Sequence, residues 1–187
     1  MRLIFFGPPG VGKGTQAERL ADRVGVPHIS TGAIFRAAMQ AETPLGNEVK
    51  GFYDRGALVP DELTTAIVVE ALADDAQKNG FILDGYPRNL SQAEALDAAL
   101  AARQESIDRV IYLTAPDEEI TKRMMARGRA DDTEEVIANR LDIYREETTP
   151  VLEHYRSAGF VSEIDGVGEL DDVAARVYDG ATESAPS

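Results

Sequence analysis

Short apolar runs recur along the chain and alternate with longer segments in which apolar and polar positions follow a helical spacing. The apolar runs lie at residues 3–6, 27–29, 81–83, 110–113 and 160–164. The helical spacing covers residues 15–24, 31–41, 44–55, 61–78, 91–103, 117–126, 133–156 and 170–178. Strands that alternate with helices predict βαβ units and a parallel sheet with helices on both faces. The continuous apolar character of the strands indicates a sheet that is buried on both sides.

Two stretches interrupt this alternation. Residues 30–59 hold two helical segments without a convincing strand, which predicts a small helical insertion. Residues 126–132 form a short charged segment between two predicted helices. The last residues, 181–187, are small and polar, and we expect them to be a frayed, disordered tail. A chain of 187 residues can bury one core, and we find no internal repeat, so the sequence predicts a single domain over residues 1–187.

Capping signals mark several helix boundaries. Asp61 follows a proline and begins one predicted helix, while Asn79 with Gly80 is typical of a helix end. Ser91, with Glu94 three residues later, predicts a capping box at the start of another helix.

The segment from Gly7 to Thr15, Gly-Pro-Pro-Gly-Val-Gly-Lys-Gly-Thr, lies between an apolar run and a helical one. A strand, a glycine-rich turn and a helix in that order are the context of a phosphate-binding loop. Backbone N–H groups can surround an anion there, the helix N-terminus adds its dipole, and Lys13 adds a full charge. The usual pattern has Ser or Thr directly after the lysine, but here Gly14 intervenes, which narrows the match to particular kinases. A turn that merely joins strand to helix does not require a lysine at this spacing.

The composition is that of an ordinary globular chain. Its 187 residues are 43% hydrophobic and 28% charged, and they include no cysteine. Disulfides and thiolate metal sites are therefore excluded. No apolar run approaches the length that spans a bilayer, and the apolar start is too short for a secretory signal. We therefore expect a cytoplasmic protein.

The charge balance is strongly acidic, with a formal net charge of −14 and a pI near 4.5. Such a surface repels nucleic acid and anionic membranes, so neither is an expected partner. It also repels a nucleotide at long range. Phosphate binding must then depend on arginine and lysine side chains that are concentrated in one cleft.

A second chemical signal follows the apolar run at residues 81–83. Asp84 at the end of this strand would lie beside the phosphate-binding loop if the two strands are neighbours, where it could hold Mg²⁺ or its waters. Gly85 and Pro87 predict a turn that presents Arg88 to the same place. The alternative is a strand that ends in a solvated turn with an Asp cap.

Arginines concentrate after residue 120. Arg123 and Arg127 are four residues apart on one predicted helix and therefore share a face. Arg129 follows in the charged segment, and Arg140 lies on the next helix. Each alone could be a surface ion pair with a nearby acid. Together with a phosphate-binding loop, they could neutralise the charge of a phosphoryl group in transfer.

The chain resembles the adenylate kinases, specifically the short-lid type of that nucleoside monophosphate kinase family. The resemblance runs from residue 1 to about residue 177, and its motifs are residues 7–15, Ser30-Thr31-Gly32 with Arg36, residues 83–88 with Gln92, and residues 127–132 with Arg140. It implies a P-loop NTPase-type α/β fold with five parallel strands flanked by helices. The implied core comprises residues 1–29, 60–125 and 133–180. The implied AMP-binding segment is 30–59, and the short lid, 126–132, lacks the longer insertion that sometimes binds zinc.

The resemblance also implies the site residues. On the ATP side they are Gly10, Val11, Gly12, Lys13, Gly14, Thr15, Arg123, Arg127 and Gly168. On the AMP side they are Thr31, Arg36, Ala57, Leu58, Val59, Gly85, Tyr86, Pro87, Arg88, Gln92, Arg129 and Arg140. The implied catalytic set is Lys13, Arg88, Arg123, Arg127, Arg129 and Arg140, with Asp84 holding Mg²⁺ through water. Ala33 departs from the family, because relatives commonly carry an acid there.

The expected reaction is the reversible conversion of MgATP and AMP into two ADP by a monomeric enzyme that needs Mg²⁺ and no zinc. The sequence leaves alternative functions open. The most similar alternative is a UMP/CMP kinase on the same scaffold, although Thr31 and Gln92 favour adenine. A switch GTPase would need a guanine motif such as Asn-Lys-x-Asp, which the chain lacks. A catalytically silent scaffold is disfavoured because Lys13, Asp84 and Arg88 are all present.

Overall fold

The computed structural model describes residues 1–129 and 132–183, which form a five-stranded parallel sheet between two layers of helices. The strands are β1 (Arg2–Phe6), β2 (His28–Ser30), β3 (Phe81–Asp84), β4 (Arg109–Thr114) and β5 (Val161–Asp165), in the order β2-β3-β1-β4-β5. Each bound lies within one residue of the apolar runs in the sequence. The predicted fold class is confirmed.

Helices connect the strands. They are α1 (Lys13–Val24), α2 (Thr31–Gln40), α3 (Pro44–Arg55), α4 (Asp61–Leu72), α5 (Leu90–Ala101), α6 (Asp117–Arg127), α7 (Glu134–Ile143), α8 (Thr149–Ser157) and α9 (Leu170–Thr182). A 3₁₀ turn, Asp75–Asn79, follows α4, and a π turn, Tyr144–Thr148, joins α7 to α8. In the part of the chain that the structure describes, no helix has the length and apolarity to cross a membrane.

The three central strands, β3, β1 and β4, are largely buried on both faces, as continuous apolar strands predict, whereas β5 at one edge alternates buried and exposed residues and departs from that expectation. In β1, Leu3 and Phe5 pack with side chains of α1 and α9, while Ile4 and Phe6 pack with those of α4, α5 and α8. Alternate residues of one strand therefore serve two separate cores. Burial on both faces fixes the register of the strand, because a slip by one residue would exchange the two sets.

The insertion at residues 30–59 is a pair of helices, α2 and α3, with a small apolar cluster of its own around Phe35, Val49 and Val59. Gly46 permits the close packing of the pair: a Cβ at this position would lie 2.1 Å from the Ala38 carbonyl oxygen. The two-helix prediction for this segment is confirmed.

Three local predictions are wrong. Helix α5 begins at Leu90 rather than Ser91, because the Asn89 side chain accepts a hydrogen bond from the Gln92 N–H at 2.9 Å and caps the helix. The helical pattern at 61–78 is divided, since α4 ends at Leu72 before the 3₁₀ turn. The pattern at 133–156 contains the π turn. Pro150 lies in the first turn of α8, directly after the π turn. Proline has no backbone N–H to donate, so the regular α-helical hydrogen bonds are interrupted here.

The tail begins later than the sequence predicts. Helix α9 extends to Thr182, and Ala181 is buried because it continues the i, i+4 series of Val173 and Val177. Alanine is small, so this third member of the series is not evident as an apolar position. The remainder of the expected tail, residues 184–187, lies outside the described residues.

Candidate active site

A cavity of about 800 Å³ opens at the carboxyl ends of β1, β2 and β3. The glycine-rich loop forms its floor, the helical pair α2–α3 forms one wall, and residues of α6 and α7 approach from the opposite side. In an open parallel sheet this edge is where loops that follow the strands converge and where ligands bind.

The loop between β1 and α1 owes its shape to glycine. Gly7, Gly10 and Gly12 have φ values of 137°, 84° and 107°, in the left-handed region that other residues rarely adopt. A Cβ would lie 2.3 Å from the Leu113 carbonyl oxygen at Gly7 and 2.5 Å from Met124 at Gly10. The loop therefore lies close to β4 and α6, and the N-terminus of α1 that follows it favours an anion.

Lys13, the first residue of α1, folds over this loop. Its Nζ donates to the carbonyl oxygens of Gly7 at 2.7 Å and Pro8 at 2.9 Å. Burial lowers the pKa of Lys13 to about 8, Asp84 partly opposes this effect, and the positive charges of Arg88 and Arg127 add to it. Lys13 thus remains mainly protonated at pH 7, in a place where a phosphate would compensate its charge.

Asp84 lies beside the loop, as predicted for neighbouring strands, because β3 pairs with β1 in the register Phe5 to Asp84. Burial opposes ionisation of this carboxyl group. Three neighbours outweigh this effect and lower the pKa of Asp84 below its ordinary value: His28, Lys13 and Ser30. The His28 Nε2 lies 3.8 Å from Asp84 Oδ2, Lys13 contributes its positive charge, and the Ser30 hydroxyl donates a hydrogen bond at 3.1 Å. The site therefore holds an ionised, oxygen-donating side chain next to the phosphate-binding loop.

Arg88 is oriented by the turn after β3. Its Nε donates to the Gly85 carbonyl oxygen at 2.8 Å, and the Thr31 hydroxyl donates to the same oxygen at 2.9 Å. Gly85 has a φ of 81°, and a Cβ there would lie 2.8 Å from Thr31 Oγ1. A Cβ at Gly85 would also lie 3.2 Å from Arg88 Nη2, so the guanidinium lies close to the turn. Arg88 lines the cavity, and its terminal nitrogens can form a two-pronged contact with phosphate.

Gln92 lines the same cavity although it is only 1% exposed. Its Oε1 accepts a hydrogen bond from the Arg88 backbone N–H at 2.8 Å, and its Nε2 donates to Asp61 Oδ1 at 2.8 Å. Each end of this amide therefore has a protein partner.

Arginines of α6 and α7 converge on Asp132. Arg127 donates from Nε at 2.6 Å and from Nη2 at 2.7 Å, and Arg140 donates from Nη1 at 3.4 Å. The Arg129 backbone N–H also points to this carboxylate, at 3.4 Å. Burial opposes ionisation of Asp132, but the hydrogen bonds and charge of Arg127, with the Arg129 N–H and Arg140, lower its pKa below the ordinary value. Asp132 therefore holds together three of the arginines that line the cavity, Arg127, Arg129 and Arg140.

The Asp132 contacts predict an acid-dependent contribution to stability. The folded pKa of Asp132 is below that of the unfolded chain, so its contribution is complete above about pH 4 and is lost as the pH falls through the folded value. Asp132→Asn should lower the free energy of unfolding by about 2 kcal/mol at pH 7, with a smaller difference from wild type in acid. Urea unfolding at about pH 7, 4 and 3 measures this, because the loss lies below about pH 4.

The control for Asp132→Asn is Asp171→Asn, because Asp171 pairs with Arg19 at the surface and its side chain is 86% exposed. This variant should change the free energy of unfolding by less than about 1 kcal/mol at every pH. An Asp132→Asn protein whose stability follows the wild-type curve over this range would contradict the assigned role of the carboxylate.

Arg123 differs in its surroundings from the other arginines. It bonds to Glu119 at 2.7 Å, and its Nη1 donates to the carbonyl oxygens of Val11 at 3.1 Å and Gly166 at 3.0 Å. It therefore links the phosphate-binding loop to the segment after β5.

The structure brings most of the predicted site residues to one cavity. Those that line it are Gly10, Gly12, Lys13, Gly14, Thr15, Thr31, Arg36, Ala57, Leu58, Val59, Asp84, Gly85, Pro87, Arg88, Gln92, Arg127, Arg129 and Arg140. Four do not: Val11 and the Tyr86 side chain belong to the buried core, Arg123 lies behind the loop, and Gly168 lies in the segment after β5. The Tyr86 hydroxyl donates to the Gln92 carbonyl oxygen at 3.0 Å, so this side chain supports the site from beneath.

The sequence analysis missed several residues of the site. Asp61 and Asn89 hold Gln92, and Tyr53 and His28 line the cavity. Asp61 is separated from Gln92 by 31 residues, so no local pattern connects them. Asn89, three residues before Gln92, carries a usable signal, since asparagine is a preferred N-cap.

Comparison with known proteins shows which family the chain is similar to. The family model of adenylate kinase matches residues 5–160. The adenylate kinase of Mycobacterium sp. (strain MCS) is 55% identical over 176 residues, which cover 94% of this chain and 96% of the relative. That of Nocardia farcinica is 49% identical over the same shares of both chains. The chain belongs to the adenylate kinase family.

A third relative agrees. The adenylate kinase of Micrococcus luteus is 49% identical over 180 residues, which cover 94% of this chain and 88% of the relative. The phosphate-binding loop, the Asp84–Arg88 turn and the converging arginines therefore lie in a chain that matches adenylate kinases over nearly its full length.

Proposed function

We propose that this adenylate kinase transfers the terminal phosphoryl group of MgATP to AMP, reversibly, to give two ADP. One observation carries the proposal. In a chain with a net charge of −14, the described lining of the cavity contains six basic side chains and two acidic ones. The basic residues are Lys13, Arg36, Arg88, Arg127, Arg129 and Arg140. Such a concentration of positive charge suits two nucleotides whose phosphates meet.

The donor nucleotide would lie with its phosphates on the glycine-rich loop. Residues 10–15 supply backbone N–H groups and Lys13 supplies charge, while Arg127 approaches from α6. Arg123 would stabilise the loop through the Val11 carbonyl or turn toward the phosphates when a nucleotide enters. Gly168 follows β5, which suits a backbone contact with the donor adenine.

The acceptor AMP would occupy the wall formed by α2 and α3. Its phosphate would meet Arg36 and Arg88, with Arg129 and Arg140 on the side of the transferring group. Backbone groups of residues 57–59 and 85–87 and the Thr31 side chain would line the base pocket, where Gln92 would contact the adenine edge.

The residues present fit Mg²⁺. This ion keeps several waters and usually binds through one or two carboxylates together with substrate phosphates. Asp84 provides one ionised carboxylate beside the loop, and among the described residues no cluster of three acidic or histidine ligands exists. Asp84 would hold the ion through its waters, and the bound ion would neutralise charge on the donor phosphates.

The chain's own residues position and stabilise the reacting groups. The nucleophile would be an AMP phosphate oxygen, and with a second phosphate pKa of about 6 it is largely deprotonated at neutral pH. A general base is therefore not required. Lys13, Arg88, Arg127, Arg129 and Arg140 would hold the two phosphates in line and stabilise the charge that spreads over the phosphoryl group. Closure of residues 30–59 and of the short lid, 126–132, would exclude water.

We further propose that the protein works as a cytoplasmic monomer, without nucleic acid or membrane partners and without zinc. Its acidic surface and the lack of cysteine support this. Within the lid, residues 130–131 lie outside the described part of the chain.

A panel of acceptors tests the proposal. With MgATP fixed at saturation, kcat/KM for AMP should exceed that for CMP or UMP by at least about a hundredfold, because Gln92 and Thr31 suit a purine with an exocyclic amino group. A coupled assay of ADP formation measures all three. Equal turnover of UMP or CMP would favour the pyrimidine kinase instead.

A linked bis-adenosine polyphosphate tests whether two nucleotides share the cavity. It should compete with both ATP and AMP and bind in calorimetry with one molecule per chain. Competition with only one substrate would contradict the arrangement of two nucleotides across one group of basic side chains.

A further inference from the structure

The Gln92 amide has a fixed orientation. Its Oε1 faces a backbone N–H of Arg88, which can only donate, and its Nε2 faces the carboxylate of Asp61, which can only accept when ionised. Exchange of the oxygen and nitrogen would place two donors against each other at Arg88 and two acceptors at Asp61. The protein therefore distinguishes the two ends of a nearly symmetric group.

Asp61 is itself held in place. Asn89 donates from Nδ2 to both carboxylate oxygens, at 2.8 and 3.0 Å, while its Oδ1 accepts the Gln92 N–H. Asp61 is the first residue of α4, where the positive end of the helix dipole favours a negative charge. Two helix starts, those of α4 and α5, thus meet in one network that ends on the Gln92 side chain.

An amide has two hydrogens and two lone pairs, so each end of Gln92 keeps a second bonding position besides the contact with Asp61 or Arg88. Gln92 lines the cavity, so these positions can face a base. A 6-aminopurine donates from its amino group and accepts at the adjacent ring nitrogen. A 6-oxopurine reverses this pattern. For a base bound in one position, the orientation of the Gln92 amide therefore determines whether its donor and acceptor face those of a 6-aminopurine or those of a 6-oxopurine.

We propose that Asp61 is a positioning residue that fixes the Gln92 amide and thereby makes the acceptor site select 6-aminopurine over 6-oxopurine monophosphates. The inference rests on the proposed function, because it requires Gln92 to face the acceptor base. Asp61 acts through Gln92 and does not touch the substrate.

The test uses Asp61→Asn, which keeps the size of the side chain and removes the fixed acceptor. The introduced amide can turn either way and can present N–H groups to Gln92. We expect KM for AMP to rise about tenfold with kcat changed less than about threefold, and KM for ATP to be unchanged. The preference for AMP over inosine monophosphate, as a ratio of kcat/KM values, should fall at least about tenfold. Glu62→Gln removes a neighbouring, exposed charge from the same helix turn and should keep the wild-type ratio.

A merely structural role for Asp61 predicts a different result. Asp61→Asn would then lower Tm and reduce the rates with AMP and inosine monophosphate in parallel, so an unchanged ratio overturns the inference. Gln92→Leu separates this failure from that of the proposed function. If Gln92→Leu weakens AMP and relaxes the ratio while Asp61→Asn does not, only the inference fails. If Gln92→Leu changes neither, the assigned base contact fails and the inference fails with it.

Discussion

Lys13→Met is expected to lower kcat/KM for ADP formation by at least about a thousandfold, which corresponds to about 4 kcal/mol of transition-state stabilisation. Lys13 is the basic side chain that begins α1 within the phosphate-binding loop, and its Nζ bridges the Gly7 and Pro8 carbonyl oxygens over the cavity floor. Burial already lowers its pKa to about 8, so the charge is poorly solvated and interacts strongly with an incoming phosphate. Methionine keeps nearly the length of the side chain and removes the charge and the donors.

Steady-state kinetics with both substrates varied, together with thermal unfolding, measures this effect. Lys50→Met is the matched control, because Lys50 is exposed on α3 and pairs with Asp54 at the surface. It should keep wild-type rates. The Lys13→Met protein should remain folded, because the shape of the loop is set by its glycines as well as by the two hydrogen bonds of Lys13. A folded Lys13→Met variant that retains more than about a tenth of wild-type activity would contradict the assigned role.

Arg88→Ala should lower kcat/KM by at least about a hundredfold, or about 2.7 kcal/mol, with the fold intact. Arg88 is held at the Gly85 carbonyl oxygen through Nε, which leaves its terminal nitrogens for phosphate. Alanine removes the fork and leaves the turn of Gly85 in place. Arg88→Lys should recover only part of the loss, because an ammonium group restores the charge without the two-pronged geometry.

The readout is the rate of ADP formation at varied AMP and fixed MgATP, with circular dichroism as the check on folding. Arg145→Ala is the control. Arg145 is half-exposed and pairs with Asp117 and Asp142 at the surface, away from the cavity lining. Near wild-type ADP formation by Arg88→Ala would remove Arg88 from the reaction, and full recovery by Arg88→Lys would show that charge alone suffices.

The sheet and the glycine-rich loop between β1 and α1 could be predicted because their signals are local. The central strands β1, β3 and β4 are short apolar runs, and the glycines of the loop lie where left-handed backbone is required. The prediction that Asp84 lies beside this loop required one further assumption, that β1 and β3 are neighbouring strands. The register of Phe5 with Asp84 confirms it.

The support around Gln92 could not be predicted, because it depends on contacts between distant segments. Both Asn89 and Ser91 are good N-cap residues, so local propensity does not choose between them. Asp61 decides the matter, since it binds the Asn89 side chain from another helix. The contacts of Arg123 also could not be predicted from spacing. Its four-residue separation from Arg127 predicts a shared helix face, but the Arg123 side chain donates to the Val11 and Gly166 carbonyl oxygens instead.

The helical pair α2–α3 carries its own apolar nucleus of Phe35, Val49 and Val59, separate from the clusters that clamp the sheet. Leu63 and Ile67 of α4 pack against this cluster, and Ile34 of α2 packs against the core of the sheet, so any movement of the pair must change these contacts. Thr31, at the start of α2, is tied to the Gly85 carbonyl oxygen that also anchors Arg88. The proposed closure of residues 30–59 would therefore act on the same carbonyl oxygen that orients Arg88, which would couple the arrival of the acceptor to the position of the arginine.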